Sequence, residues 1–160
     1  MVALLSRSLS LASLLLTGAI AGFFYAYWCS VMMGLDAAGP EAATAAMQGI
    51  NRTVRNPMFA PAFFGPLLVL PLAAVAAVLA GSRIAAVWLA AAFVLYGAGA
   101  FLPTLTINVP MNNAFAAAPA SAWATYADQW GYWNGVRTIM SFAALAAVGL
   151  ALMASRPRTA

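Results

Sequence analysis

The sequence predicts an all-α fold: a four-transmembrane-helix bundle with two short amphipathic helices in the external loops. Hydrophobic residues make up 65% of the 160 residues and charged residues only 6%, which is far from the balance of a soluble domain. The apolar residues are collected in four runs, each long enough to cross a bilayer as a helix. We therefore expect one membrane domain, residues 1–160, with the lipid bilayer as its first partner.

The first predicted span covers residues 8–33. Arg7 followed by an apolar run resembles a signal peptide, but the run continues for about 25 residues, too long for a signal-peptide core. We therefore expect an uncleaved helix. Gly18 and Gly22 form a G-x-x-x-G pair, a pattern typical of close helix packing. Tyr25 lies seven residues after Gly18 and is expected to face the bundle.

The first loop contains a predicted amphipathic helix, which Pro40–Glu41 begin and Asn56–Pro57 end. Its apolar positions recur at helical spacing: Ala43, Met47, Ile50 and Val54. Its polar face carries Gln48, Asn51, Arg52 and Arg55. Either this helix lies on the membrane surface with its arginines in water, or it is a lid that brings Asn51, Arg52 or Arg55 over a pocket.

The second predicted span, residues 58–81, contains three prolines, which predict kinks: Pro61, Pro66 and Pro71. A tight turn at Gly81–Ser82–Arg83 leads into the third span, residues 84–108, which Pro110 is expected to end.

The second external loop predicts a short helix from Pro119 to Trp130, followed by the fourth span, residues 132–153. Five aromatic residues around this boundary form a belt typical of the lipid headgroup region: Trp123, Tyr126, Trp130, Tyr132 and Trp133. The fourth span opens with polar residues spaced i, i+3, i+4 and i+7, which places them on one helix face: Asn134, Arg137, Thr138 and Ser141.

Composition excludes several chemistries. The chain has no histidine, which excludes His-ligated haem, zinc or copper sites, and its single cysteine, Cys29, excludes an internal disulfide. Three acidic residues in two loops are too few for a carboxylate-rich dimetal centre. The seven basic residues are scattered arginines rather than a basic stripe, so no nucleic-acid partner is expected.

The arginines also predict orientation. Arg7, Arg83, Arg156 and Arg158 fall on one side of the bundle without an acidic residue. Under the positive-inside rule both termini are then cytoplasmic and both long loops external. The Ala-rich, Lys-free composition indicates a bacterial protein, which we place in the inner membrane.

Polar side chains gather at the external end of the predicted bundle: Asn108, Asn112, Asn134 and Arg137. Polar groups at this depth are costly unless they find partners, so they indicate a functional site. Asparagine donates and accepts hydrogen bonds, which suits a ligand with carbonyl and hydroxyl groups. The alternatives are that the asparagines bond helices together and that Arg137 pairs with Asp128.

These residues carry a resemblance to a known family. The segments Asn108–Val–Pro–Met–Asn–Asn113 and Trp133–Asn–Gly–Val–Arg–Thr138, with Gly22–Phe–Phe24 and Ala46–Met–Gln–Gly–Ile–Asn–Arg52 earlier in the chain, resemble the DUF1772 or anthrone-oxygenase-like family of small four-helix membrane proteins. The resemblance covers roughly residues 18–141.

The resemblance implies oxidation of an anthrone, a flat hydrophobic aromatic, to an anthraquinone by dioxygen, without metal, flavin or other cofactor. By the same resemblance the catalytic residues would be Arg137, which stabilises the substrate anion, and Asn134. The implied substrate-binding residues are Asn108, Asn112, Tyr25 and Trp133, with Asn51 and Arg52 from the lid.

One position departs from the family pattern: many members have histidine between the asparagine and the x-Arg-Thr segment, where this chain has Gly135. Without an imidazole, no base active near neutral pH is evident. The second hypothesis is therefore a non-catalytic membrane protein. It would bind a lipid or a quinone-like aromatic, or act as an accessory subunit of a larger membrane complex or within a homo-oligomer.

Overall fold

The computed structural model describes residues 1–155, so Arg156 and Arg158 lie outside the described residues. The described residues form five helices and no strand. Their bounds are Val2–Ala37 (α1), Pro40–Thr53 (α2), Phe59–Leu79 (α3), Arg83–Phe115 (α4) and Ala120–Ala154 (α5). All except α2 are long and apolar enough to cross a membrane. The all-α fold class is confirmed.

The four long helices form a ring in which each packs against two neighbours. Helix α1 packs on α3 and α5, and α4 packs on the same two helices. Alanines at the contacts are fully buried, among them Ala77, Ala92 and Ala151. Small side chains let membrane helices approach closely, which is the main source of packing energy in a lipid environment.

Helix α2 covers the end of the ring at which α1 and α4 end. A turn at Gly39, whose φ is 87°, separates it from α1. Ala43 and Met47 are fully buried in a cluster with Phe115 and Trp123. The predicted amphipathic helix is confirmed, with the expected face turned inward.

Three π-helical segments interrupt the long helices near this end: Tyr27–Val31, Gly97–Phe101 and Thr104–Asn108. The prediction that Pro110 ends the third span is wrong, because α4 continues to Phe115. The wide turn at Thr104–Asn108 lies just before the proline. Such a turn lets a helix pass a residue that lacks the N–H for an ordinary α-helical bond.

The segment predicted as a separate helix from Pro119 to Trp130 is helical, but it is not separate. A 3₁₀ turn at Ala120–Ala122 leads directly into Trp123–Ala154. Gly131, the single helix-weakening residue at the expected break, does not end the helix, since one glycine costs a helix only about 1 kcal/mol. Trp130 and Arg137 consequently lie on one rigid element.

Glycine allows a close helix contact, but not where the sequence predicted it. A Cβ atom at Gly18 would meet Leu145 at an ordinary 3.7 Å, and one at Gly22 would have no neighbour within 4 Å. The predicted packing pair is therefore wrong. The tightest approach is between α4 and α5, where a Cβ at Gly99 would lie 2.5 Å from Cγ of Met140, and a second is between α3 and α1, where a Cβ at Gly65 would lie 2.8 Å from Cδ1 of Leu16.

We expect Gly99→Ala to lower the free energy of unfolding by about 1–3 kcal/mol, because the added methyl group must push α4 and α5 apart. Thermal unfolding of the purified protein in detergent measures this effect. Gly149→Ala is the matched control, since a Cβ there has no neighbour within 4 Å. Equal melting temperatures for the two variants would contradict the prediction.

Candidate functional site

A cavity of about 660 Å³ lies beneath α2, between α1, α3, α4 and α5. Seven of the 21 residues that line it are aromatic: Phe23, Phe24, Tyr27, Phe59, Phe63, Phe64 and Trp130. Phe59 and Phe63 are stacked, with ring centroids 5.4 Å apart. A cavity of this size and character suits a flat hydrophobic molecule.

Arg137 lines the cavity and is only 3% exposed. Its Nη2 donates to Oδ1 of Asn134 at 3.0 Å, and its Nη1 donates to Oγ1 of Thr104 at 3.2 Å. Its Cζ lies 4.6 Å from the ring centroid of Phe24 and 5.0 Å from that of Trp130. Both rings attract the cation, but none of these groups carries a negative charge.

No carboxylate among residues 1–155 lies within salt-bridge distance of Arg137. Asp128, the acidic residue predicted as its partner, is exposed on the surface of α5. That pairing is wrong, because the unbroken helix carries Asp128 away from the arginine. A buried cation without a counter-ion is costly, and an anionic ligand would remove that cost.

Asn134 holds the guanidinium in place. It is fully buried, and its Nδ2 donates to the carbonyl oxygen of Phe24 at 2.9 Å, which ties α5 to α1. Its Oδ1 accepts from Arg137. Both ends of its amide are thus engaged, and Asn134 lies behind Arg137 rather than among the residues that line the cavity.

Three residues that line the cavity have buried polar atoms without a hydrogen-bond partner among the described residues. These atoms are Nδ2 and Oδ1 of Asn108, Nε1 of Trp130 and Nε of Arg137. Buried polar groups are nearly always paired, so each exception calls for an explanation. All three residues line the same cavity, although the unpaired atoms themselves are covered by neighbouring atoms.

Trp130 was not among the predicted site residues, because the sequence analysis assigned it to the aromatic belt. Its distance from Arg137 along the sequence could have identified it. Trp130 lies seven residues before Arg137, which places both side chains on the same face of a continuous helix.

A hydrogen-bond chain fastens α2 over the cavity. Nδ2 of Asn51 donates to the Tyr126 hydroxyl at 3.2 Å, and that hydroxyl donates to Oδ1 of Asn112 at 2.9 Å. The Tyr126 ring is stacked on Phe115 at 3.8 Å. Nε2 of Gln48 adds a bond to the Phe115 carbonyl oxygen. Asn51 and Asn112 both line the cavity, but one polar atom of each is already engaged in this chain.

Tyr25 lies on the outer surface, and the prediction that it faces the bundle is wrong. It is 48% exposed and packs edge-on against Phe142, with ring centroids 5.8 Å apart. The neighbouring Phe24, only 2% exposed, takes the inward position. Successive helical residues point about 100° apart, so both cannot face the cavity.

Two further predicted substrate-binding residues do not line the cavity. Trp133 is half-buried and packs against Tyr132, with ring centroids 5.5 Å apart. Arg52 is exposed on the outer face of α2, whereas Arg55, three residues later, lines the cavity.

Gly135, where the resemblance implies a histidine in many family members, faces α1. A Cβ atom there would meet the indole ring of Trp28 at 3.6 Å, and Gly135 is not among the residues that line the cavity. A larger side chain at this position would compete with Trp28 for space. The described residues also contain no group of three or more His, Cys, Asp or Glu side chains that could hold a metal ion.

Comparison with known proteins identifies one family. The family model described as anthrone oxygenase matches residues 57–147, which is more than half of the chain and includes Asn108, Asn134 and Arg137. No curated protein and no solved structure matches the chain.

Proposed function

The chain belongs to the anthrone oxygenase family, and on that premise we propose that it oxidises a flat, anthrone-type aromatic with dioxygen inside the membrane. The observation that carries this proposal is the buried Arg137, without a carboxylate partner among the described residues, in the wall of a cavity of about 660 Å³ that seven aromatic residues also line. The shape suits the ring system, and the charge suits an anion formed on it.

The reaction needs only a stabilised anion and dioxygen. Loss of a methylene proton gives an anion whose charge is delocalised onto the ring oxygen. This anion passes an electron to dioxygen, and the resulting radicals join to form a carbon–oxygen bond and, with a proton, a hydroperoxide. Loss of the second methylene proton breaks the O–O bond and releases hydroxide, which that proton converts to water. The methylene thus becomes a carbonyl while dioxygen supplies one atom to it and one to water.

In this proposal Arg137 stabilises the negative ring oxygen, and Asn108 orients it through its amide. Asn134 and Thr104 are positioning residues, because they fix the guanidinium through Nη2 and Nη1. A charge that is prearranged in a dry site stabilises a developing oxyanion more than water can, since no solvent must reorganise.

The arginine distribution supports cytoplasmic termini and an external cavity in a bacterial inner membrane.

Oxygen uptake tests this function. We expect purified protein with emodin anthrone to consume dioxygen faster than the spontaneous reaction, with one quinone formed per dioxygen consumed. Heat-denatured protein in the same detergent gives the baseline. Rates equal to that baseline would refute oxidation of this substrate class.

The second candidate function is non-catalytic binding of a quinone-like aromatic. Gly135 favours it, because this chain has no side chain where many family members have histidine. Retention of a quinone without any oxygen uptake from an anthrone would support this candidate.

A further inference from the structure

We infer that the cavity binds its aromatic ligand as the oxygen anion already formed in water, held by Trp130, Arg137 and Asn108. The inference rests on the proposed function only for the identity of the ligand as a flat aromatic ring system. Its evidence is separate, since it comes from the charges and unpaired donors of the cavity.

The first argument is charge. Among the described residues that line the cavity, Arg55 and Arg137 are cationic and none is acidic. The other ionisable groups near the guanidinium are the phenols of Tyr27, Tyr96 and Tyr126, which are ordinarily neutral at pH 7. A neutral ligand would leave the cation uncompensated, whereas an anion would supply the missing charge.

The second argument is the number of donors. Nε1 of Trp130, Nε of Arg137 and Nδ2 of Asn108 are all buried N–H donors without a partner among residues 1–155, against one unpaired acceptor at the cavity, Oδ1 of Asn108. A neutral carbonyl oxygen has two lone pairs, but an aryl oxyanion can accept three hydrogen bonds, each strengthened by its charge. These donors are covered by neighbouring atoms, and side-chain rotations that turn them into the cavity would supply the three hydrogen bonds that an oxyanion accepts.

This arrangement needs no base active near neutral pH among the described residues that line the cavity. The neutral aromatic releases its proton to water at the membrane surface, and the anion then occupies the cavity. No lining side chain has to accept the proton, so Gly135 in place of histidine does not prevent this step. Trp130 becomes a binding residue through its indole N–H.

A probe that cannot be oxidised in this way tests the inference. The anion of 2-hydroxyanthraquinone is coloured differently from its neutral form, so absorbance reports the ionisation of the bound probe. We expect the probe to bind at least about tenfold tighter above its ionisation pH than 2-methoxyanthraquinone, its uncharged isostere. The pH at which half of the bound probe is ionised should fall by about one unit for each tenfold by which the protein binds the anion more tightly than the neutral form.

Trp130→Phe keeps a six-membered aromatic ring beside Arg137 and Tyr27 and removes the indole N–H together with its five-membered ring. We expect it to weaken anion binding about tenfold, the usual effect of losing a hydrogen bond to a charged group, and to leave methoxy-probe binding unchanged. Trp88→Phe is the matched control, because Trp88 is 38% exposed and outside the cavity.

Equal binding of the two probes by wild type, or an unshifted ionisation midpoint, would overturn the inference. Wild-type affinity in Trp130→Phe would overturn the assignment of the donor. The measurement is made under argon without an anthrone, so its failure is distinguishable from failure of the oxygen-uptake test.

Discussion

Arg137→Met is expected to lower anthrone-dependent oxygen uptake by about 100- to 1,000-fold, the usual loss when a prearranged oxyanion partner is removed. Methionine has a similar length and fills the space between Phe24 and Trp130, but it provides neither charge nor N–H. The effect should appear in kcat as well as in KM, because the charge on the ring oxygen is present throughout the reaction. Initial rates over a range of anthrone concentrations separate the two constants.

Two controls make this result specific. Arg83→Met removes an exposed arginine at the other end of the bundle and should leave the rate unchanged. Arg137→Lys keeps the charge but loses the planar fork that bonds to Asn134 and Thr104, so it should retain part of the activity. Wild-type turnover by Arg137→Met, in protein that elutes and melts like wild type, would exclude Arg137 from the reaction.

The membrane-spanning helices could be predicted from the sequence because the backbone hydrogen bonds of a membrane helix must be satisfied within the helix itself. Long apolar runs therefore determine the elements, and a 3.6-residue period correctly identified the inward face of α2. The same period places Asn134, Arg137, Thr138 and Ser141 on one face of α5, and all four are buried. These predictions depend on local spacing alone.

The sequence was less informative about the contacts of individual side chains, since contacts depend on how helices rotate against one another. Tyr25 and Phe24 are adjacent aromatics, and only the packed bundle decides which one faces inward. The π-helical segment Thr104–Asn108 has no simple sequence period, yet it lies where Thr104 and Asn108 reach the site. Wide turns of this kind are common at functional sites.

The hydrogen bonds of α2 modify the predicted roles of two asparagines. Asn51 and Asn112 were expected to bind substrate, and both line the cavity. Their bonds to Tyr126 give them a structural role in holding α2 over the cavity. Asn108, by contrast, makes no side-chain hydrogen bond among the described residues, so turning its amide toward a ligand would break none.

Asn108→Asp is expected to reduce both anion binding and oxygen uptake by about 100-fold or more, because a carboxylate in the cavity repels an anionic ligand by several kcal/mol. The change adds no bulk and breaks no side-chain hydrogen bond among residues 1–155. The carboxylate would also provide a negative charge in the cavity that holds Arg137, so the melting temperature should stay level or rise. Activity and stability then change in opposite directions, which a simple folding defect does not produce.

Asn113→Asp is the matched control for this variant, since it makes the same substitution at an exposed position outside the cavity. It should bind and turn over like wild type. Asn108→Leu separates charge from the loss of the amide: it removes the hydrogen bond to the ring oxygen without adding repulsion, so its defect should be smaller than that of Asn108→Asp. Equal defects in the two Asn108 variants would indicate that the cavity does not distinguish an anionic ligand by charge, and the electrostatic account of Arg137 would then be wrong.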